Sequence, residues 1–232
     1  MSFSLKNPIC LALDSRDPDR VATLASATQD HVGMFKVGLT AFVSFGSYLS
    51  SSLAAQRPVF LDLKLHDIPA QVSGAIRAVA DTGASLVTIH ASGGAEMVKA
   101  AADAAGDVTI LAVTILTSLD DPGLSEIGMT PPAEKAVLTL AELALSNGAH
   151  GLVCSALEVE AIRARFGPHD RGGPLLVVPG IRPSGSDVGD QRRTMTPREA
   201  LAAGADVLVI GRPITEAPDP AEAARRIVEE IS

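Results

Sequence analysis

The sequence predicts a single α/β domain over residues 1–232, a (β/α)8 barrel of the TIM type. Three observations predict it. Apolar runs rich in Val, Ile and Leu recur eight times, and eight runs in 232 residues leave 29 residues per unit, close to one strand plus one crossover helix. Most runs are continuous rather than alternating, as in parallel strands covered on both faces. Segments of helical pattern, bounded by Asp-Pro, Thr-Pro and Gly, separate them. An open doubly wound sheet is the alternative fold, and the even spacing of eight units favours closure.

Taken in order, Ile9–Leu13 is the first strand and runs into Asp14. Asp17-Pro18 opens a helix with Val21, Leu24 and Ala25 at helical spacing; Asp accepts from the free N–H groups of the first turn, and Pro there loses no needed donor. Met34–Val37, Val59–Leu65, Leu86–His90 and Thr109–Ile115 are the next four strands. Pro132–Ser146 is the longest helical pattern and stops at Asn147-Gly148, before the sixth strand, Gly151–Cys154. Leu175–Val178 is the seventh. Thr196-Pro197 precedes a helix over Arg198–Ala203 that Gly204 ends, and Val207–Ile210 is the eighth strand. Asp219-Pro220 opens the last helix, with Ala224, Ile227, Val228 and Ile231 on one face. Gly83, Gly148 and Gly204 each stand just before a strand, as a short αβ return requires. Two connections exceed a plain βα loop, Ser118–Thr130 and Gly180–Met195. Both lie at C-terminal strand ends, where barrel active sites are built.

Composition limits the function classes. Lys plus Arg number 19 against 27 Asp plus Glu, a formal charge of −8, and aromatics are restricted to one Tyr and six Phe. Such a chain is a poor nucleic-acid binder. Apolar residues at 47% with 20% charged residues give a globular core rather than disorder. Cys10 and Cys154 both sit in apolar runs without metal-ligand spacing, which reads as buried thiols in a reducing compartment. No signal peptide and no apolar stretch near ~18 residues is read, so a cytoplasmic protein without membrane contact is expected.

The third strand carries the strongest chemical signal, Asp62-Leu-Lys64-Leu-His-Asp67-Ile-Pro. Strand alternation turns Phe60, Asp62 and Lys64 one way and Leu61, Leu63 and Leu65 the other. With the leucines against the helices, Asp62 and Lys64 face the barrel mouth and Asp67 follows in the loop. A structural ion pair plus a helix-capping Asp is the bland alternative. The location at a C-terminal strand end tips the balance to function. Lys36 ends the second strand, so two lysines and two aspartates converge with formal charges that cancel. Asp14 ends the first strand; its bland role is a helix cap, which Asp17 already fills. Gly211-Arg212-Pro213 after the eighth strand and Gly180-Ile181-Arg182 after the seventh match the loops where barrels bind phosphate. Asp190-Gln191-Arg192-Arg193 adds donors nearby. The five histidines show no metal-ligand spacing, and no Gly-x-Ser-x-Gly elbow is present.

Leu-Ala-Leu-Asp14, Lys36-Val-Gly, Asp62-Leu-Lys64-Leu-His-Asp67-Ile-Pro, Leu-Thr117-Ser118, Pro-Gly-Ile-Arg182-Pro, Gly-Asp-Gln191-Arg-Arg and Ile-Gly211-Arg212-Pro together resemble the orotidine 5′-phosphate decarboxylase family, in order from about residue 8 to 231. The resemblance implies a homodimeric (β/α)8 barrel converting orotidine 5′-phosphate to UMP and CO2 without metal or organic cofactor. It implies a charged network of Lys36, Asp62, Lys64 and Asp67, with Lys64 protonating pyrimidine C6 and Asp67 entering the neighbouring subunit's site. Asp14 and Lys36 would hold ribose hydroxyls, Ile68 would contact substrate, and Thr117 and Ser118 would lie at the pyrimidine. Arg182, Gln191, Gly211 and Arg212 would take the phosphate, with 180–195 as a closing lid. The family usually has Asn-Thr after Asp-Ile-Pro, whereas this chain has Ala70-Gln71, so Gln71 stands where a ribose-contacting Thr is usual. Hexulose-phosphate synthase and 3-keto-gulonate-phosphate decarboxylase share Asp-x-Lys-x-x-Asp. They use Mg²⁺ and in general an acidic residue at the position of Lys36, and two lysines repel a divalent cation. A non-catalytic nucleotide-binding barrel is the rival from another class, and the persistence of all four charged groups argues against it.

Overall fold

The structure is a computed structural model that describes residue 3, residues 5–183 and residues 195–231. Eight parallel strands close in sequence order into a barrel: β1 (Ile9–Ala12), β2 (Met34–Val37), β3 (Val59–Leu65), β4 (Leu86–His90), β5 (Thr109–Val113), β6 (Gly151–Val153), β7 (Leu175–Val178) and β8 (Val207–Ile210). Pairing runs right round the ring, from Cys10 opposite Met34 on β2 to Cys10 opposite Val209 on β8, with one register shift, between β3 and β4. The connecting helices are α1 (Pro18–Thr28), α2 (Leu39–Phe45), α3 (Ser47–Ala54), α4 (Pro69–Ala80), α5 (Ala95–Asp103), α6 (Asp121–Glu126), α7 (Ala133–Ser146), α8 (Val159–Phe166), α9 (Pro197–Ala203), α10 (Arg212–Thr215) and α11 (Pro220–Ile231).

The expected punctuation is where the helices begin. Asp17 accepts from the backbone N–H groups of Asp19 and Arg20 at the start of α1, Thr196 and Glu199 form a capping box on α9, and Asp219 accepts from Glu222 N–H at the start of α11. Each such cap is worth about 1 kcal/mol. Gly83, Gly148 and Gly204 all have positive φ, the left-handed turn that a helix needs before returning to a strand.

Two apolar layers follow from strand alternation. Leu11, Phe35, Leu61, Val87 and Ile110 point outward and pack with the helices. Cys10, Met34, Phe60, Leu86, Leu111 and Leu175 point inward and fill the barrel, with Phe3 and Leu5 packed against them. Cys10 and Cys154 are buried free thiols, and burial pushes the Cys10 thiol up to about 12, far from reactive thiolate.

Several boundaries differ from the sequence expectation. β1, β5 and β6 end one or two residues early, at Ala12, Val113 and Val153, because the apolar run continues past the last ladder pair into the mouth. The stretch Ser118–Thr130, expected as a loop, contains α6. Asp120 caps it by accepting from Gly123 N–H at 3.1 Å, and Asp121-Pro122 forms its first turn, one residue later than the capping Asp-Pro pairs of α1 and α11. The expected lid over 180–195 lies mostly outside the described residues. Its flanks meet in an Ile181–Met195 bridge, with Arg182 N–H donating to Met195 O at 3.0 Å.

Candidate active site

Three neighbouring strands send polar side chains into the mouth. Lys36 on β2 is buried and its Nζ stands 3.5 Å from Asp62 Oδ2. Lys64 Nζ donates to Asp62 Oδ1 at 2.7 Å. Thr88 on β4, fully buried, donates its hydroxyl to the same Oδ1 at 3.0 Å. Burial alone would raise the Asp62 pKa; the Lys36 and Lys64 charges, with hydrogen bonds from Lys64 and Thr88, outweigh it and hold the carboxyl below its ordinary range. The aspartate is therefore ionised.

Leu61, Leu63 and Leu65 face the helices while Asp62 and Lys64 face the mouth, as alternation predicts, but the strand is irregular between them. Between the pairs Leu61–Val87 and Leu65–Ile89, four steps along β3 match two along β4. Within that irregularity Lys64 has φ +51°, the one non-glycine positive φ among the described residues. A Lys held there stores roughly 1–3 kcal/mol and persists only where neighbours fix it. Its N–H donates to Thr88 Oγ1 at 2.9 Å.

Two cavities open at this end of the barrel. One of about 230 Å³ is lined by Lys36, Phe60, Asp62, Lys64, Val113, Ile115, Thr117, Val153, Cys154, Pro179 and Val209. The other, of about 560 Å³, is lined by Asp14, Arg20, Lys36, Pro179, Gly180, Arg182, Val209, Gly211 and Arg212 among others. Lys36, Pro179 and Val209 belong to both, so the two are adjoining compartments of one mouth. Asp14 is exposed to the larger one and does cap a helix, contrary to expectation: its Oδ1 accepts from Ala41 N–H of α2 at 2.8 Å. Gly38 makes that possible, since a Cβ there would stand 2.4 Å from Asp14 Oδ2 and 3.0 Å from Lys36 Nζ.

Of the sequence-predicted residues, Lys36, Asp62, Lys64 and Thr117 thus meet in the small cavity, and Asp14, Lys36, Arg182, Gly211 and Arg212 in the large one. Ser118 is exposed and lines neither, because the chain turns outward after Thr117 towards α6. Asp67, Ile68 and Gln71 are exposed on the β3–α4 connection and the first turn of α4, and they line neither cavity. Asp67 accepts from Ile68 N–H at 2.7 Å, so the fourth member of the expected network is not in contact with the other three within this chain. Gln191 lies outside the described residues. Thr88, Gly38 and Pro179 were missed. A lone hydroxyl inside Leu-Val-Thr-Ile-His was the available signal for Thr88, since a buried hydroxyl needs a partner.

No group of three or more His, Cys, Asp or Glu that could hold a metal ion occurs among the described residues. The one carboxylate inside the small cavity is flanked by two ammonium groups, which oppose a divalent cation. Among the described residues no helix is long and apolar enough to cross a membrane.

Fold and site define a class: (β/α)8-barrel proteins with a lysine–aspartate cluster at the C-terminal mouth. Within it, the chain belongs to the Orotidine 5'-phosphate decarboxylase / HUMPS family, whose model matches residues 7–227. It is 54% identical over 221 residues to an orotidine 5'-phosphate decarboxylase of Anaeromyxobacter sp. (strain K), covering 94% of this chain and 96% of that one. It is 49% identical over 226 residues to one of Thermobifida fusca (strain YX), covering 97% and 95%. The crystal structure of orotidine 5'-phosphate decarboxylase from Lactobacillus acidophilus superposes with a TM-score of 0.85 at 36% identity, covering 98% of this chain and all of that one.

Proposed function

We propose that the chain, acting as one domain, decarboxylates orotidine 5′-phosphate to UMP and CO2, the closing step of UMP synthesis. One observation carries the reading. An ionised Asp62 held between Lys36 and Lys64 forms one wall of a cavity that opens directly into a second one bearing Arg182 and Arg212. The first compartment suits a pyrimidine carboxylate and the second a phosphate ester, with Asp14 and Lys36 at the ribose between them. Arg212 offers a fork for phosphate oxygens, Gly211 leaves the backbone open to the ligand, and Gln191 joins from the 180–195 connection.

In this mechanism the C6–carboxylate bond breaks, CO2 leaves, and the electron pair remains on C6 until Lys64 Nζ delivers a proton. Asp62 at ~4 Å from the substrate carboxylate raises the ground state by roughly 4 kcal/mol at an effective dielectric of 20, about a thousandfold. Enzymes in general supply roughly 8–23 kcal/mol, so the larger share comes from charge that strengthens in the transition state, above all Lys64 beside the developing carbanion. Thr117 lies at the pyrimidine, and Ser118 reaches it after movement of the β5–α6 connection. No metal or organic cofactor takes part.

Asp67 completes the network in a second copy of the chain. Its exposure, together with exposed Ile68 beside it and exposed Leu39 and Val43 on α2, supports a two-fold dimer in which each β3–α4 loop enters its partner's mouth. Ile68 and Gln71 then contact substrate across that interface. The buried free thiols fit a cytoplasmic location. A spectrophotometric assay for loss of orotidine 5′-phosphate, with and without EDTA, tests the reading. Turnover indifferent to EDTA is expected; absence of turnover, or turnover lost to the chelator, contradicts it.

A further inference from the structure

Thr88 connects the backbone of Lys64 to the carboxylate of Asp62. A hydroxyl has one proton. The Lys64 N–H donates to Thr88 Oγ1 at 2.9 Å, so the Thr88 proton is the one that goes to Asp62 Oδ1 at 3.0 Å. Lys64 Nζ donates to the same oxygen at 2.7 Å. Backbone and side chain of Lys64 therefore converge on a single carboxylate oxygen, closing a ring across β3 and β4. The ring sits where the β3–β4 register breaks and where Lys64 takes up its positive φ.

We infer that Thr88 is a positioning residue of the proposed decarboxylation, holding Lys64 in its left-handed turn and fixing the rotation of the Asp62 carboxylate through its hydroxyl. The inference rests on the functional reading above, yet its logic is local. Without the hydroxyl the Lys64 N–H has no ladder partner to replace it, because between the flanking pairs three residues of β3 stand against Thr88 alone on β4. Asp62 would keep Lys36 and Lys64 Nζ and lose the one neutral donor that has no rotatable reach. Lysine side chains are long and can follow a carboxylate that swings; a buried β-branched threonine has little freedom at χ1. Thr88 therefore sets the geometry, and the lysines adapt to it. Leu86 and His90, the residues on either side of it on the same strand face, cannot substitute: one is apolar and the other faces His66 at a ring separation of 5.5 Å.

Thr88→Val keeps the shape and removes the hydroxyl, while Thr88→Ser keeps the hydroxyl and removes a methyl. If the hydroxyl matters, Thr88→Val loses roughly ten- to hundredfold in kcat, the range for a hydrogen bond to a charged group, and Thr88→Ser stays within about threefold of the unmutated chain. UMP, which has no carboxylate for Asp62 to face, should bind both variants within about threefold of normal. Full turnover by Thr88→Val, or a larger loss in Thr88→Ser than in Thr88→Val, overturns the inference in favour of simple packing. Should Thr88→Val not fold, Thr88→Ser still decides: a folded serine variant with a large loss of kcat contradicts the role. In every arm the unmutated chain is measured alongside, so failure of the decarboxylation reading itself appears as absent turnover before any substitution is compared.

Discussion

On β2, β3 and β4 the inward side chains change character within two residues, from Met34 to Lys36, from Phe60 to Asp62 and from Leu86 to Thr88. On the opposite wall they do not: Leu111 is followed by Val113, Gly151 by Val153, and Val207 by Val209. The polar groups are confined to three adjacent strands, the charged ones to β2 and β3, and Val113, Val153 and Val209 face them across the small cavity. A charge opposed by hydrocarbon is poorly screened, so each interaction on the polar wall counts for more than it would in water. The apolar wall is thereby part of the electrostatics. Both walls rest on the same floor, which lets the barrel remain stable while one side of its rim is given to chemistry.

Removing the polar wall's proton donor should have the largest effect. Lys64→Ala is expected to lower kcat by at least roughly a thousandfold, with UMP still bound as measured by calorimetry. Turnover near normal would show that the polar wall does not deliver the proton. A smaller effect is expected outside both walls, in the larger cavity. Arg212→Ala should weaken UMP binding by about 1.5–3 kcal/mol and leave a ligand without phosphate almost unchanged; equal losses for both ligands would make Arg212 a scaffold residue.

The smallest effect concerns stability. Burial, then the His66 and Lys64 charges, hold His90 below its ordinary range despite the opposing pull of Asp62. As pH falls, the unfolded chain takes up this proton first. The stability owed to neutral His90 is therefore complete above about pH 6.5 and declines as the pH drops towards the folded value. His90→Asn should flatten the fall of melting temperature between about pH 7 and 5, leaving a residual slope from His150, which burial also holds low. An unchanged slope would show that His90 is protonated at no cost.

The strands were legible because each is buried on both faces, so hydrophobicity alone outlined them. Lys36, Asp62 and Lys64 were legible as charges at C-terminal strand ends. The route by which Lys64 meets Asp62 was not. Its positive φ is fixed by Thr88, 24 residues away on another strand, and no local pattern encodes that partner. Asp14 shows the same limit in another form: its partner, Ala41 N–H, is set by how α2 leaves β2 past Gly38. α6 carried an Asp-Pro start that could have been read, but six residues give too short a periodicity to stand out from a loop.

In the proposed dimer the three-residue network of one chain is completed by Asp67 of the other, and mixing two inactive variants tests this most directly. Lys64→Ala and Asp67→Ala are combined under conditions that let subunits exchange. If Asp67 acts across a two-fold interface, a mixed dimer has one site carrying both lesions and one carrying neither. Random pairing makes half the dimers mixed and half their sites intact, so activity should return to about a quarter of the unmutated level. If Asp67 serves its own barrel, every site keeps one lesion, no activity returns, and the shared site is wrong.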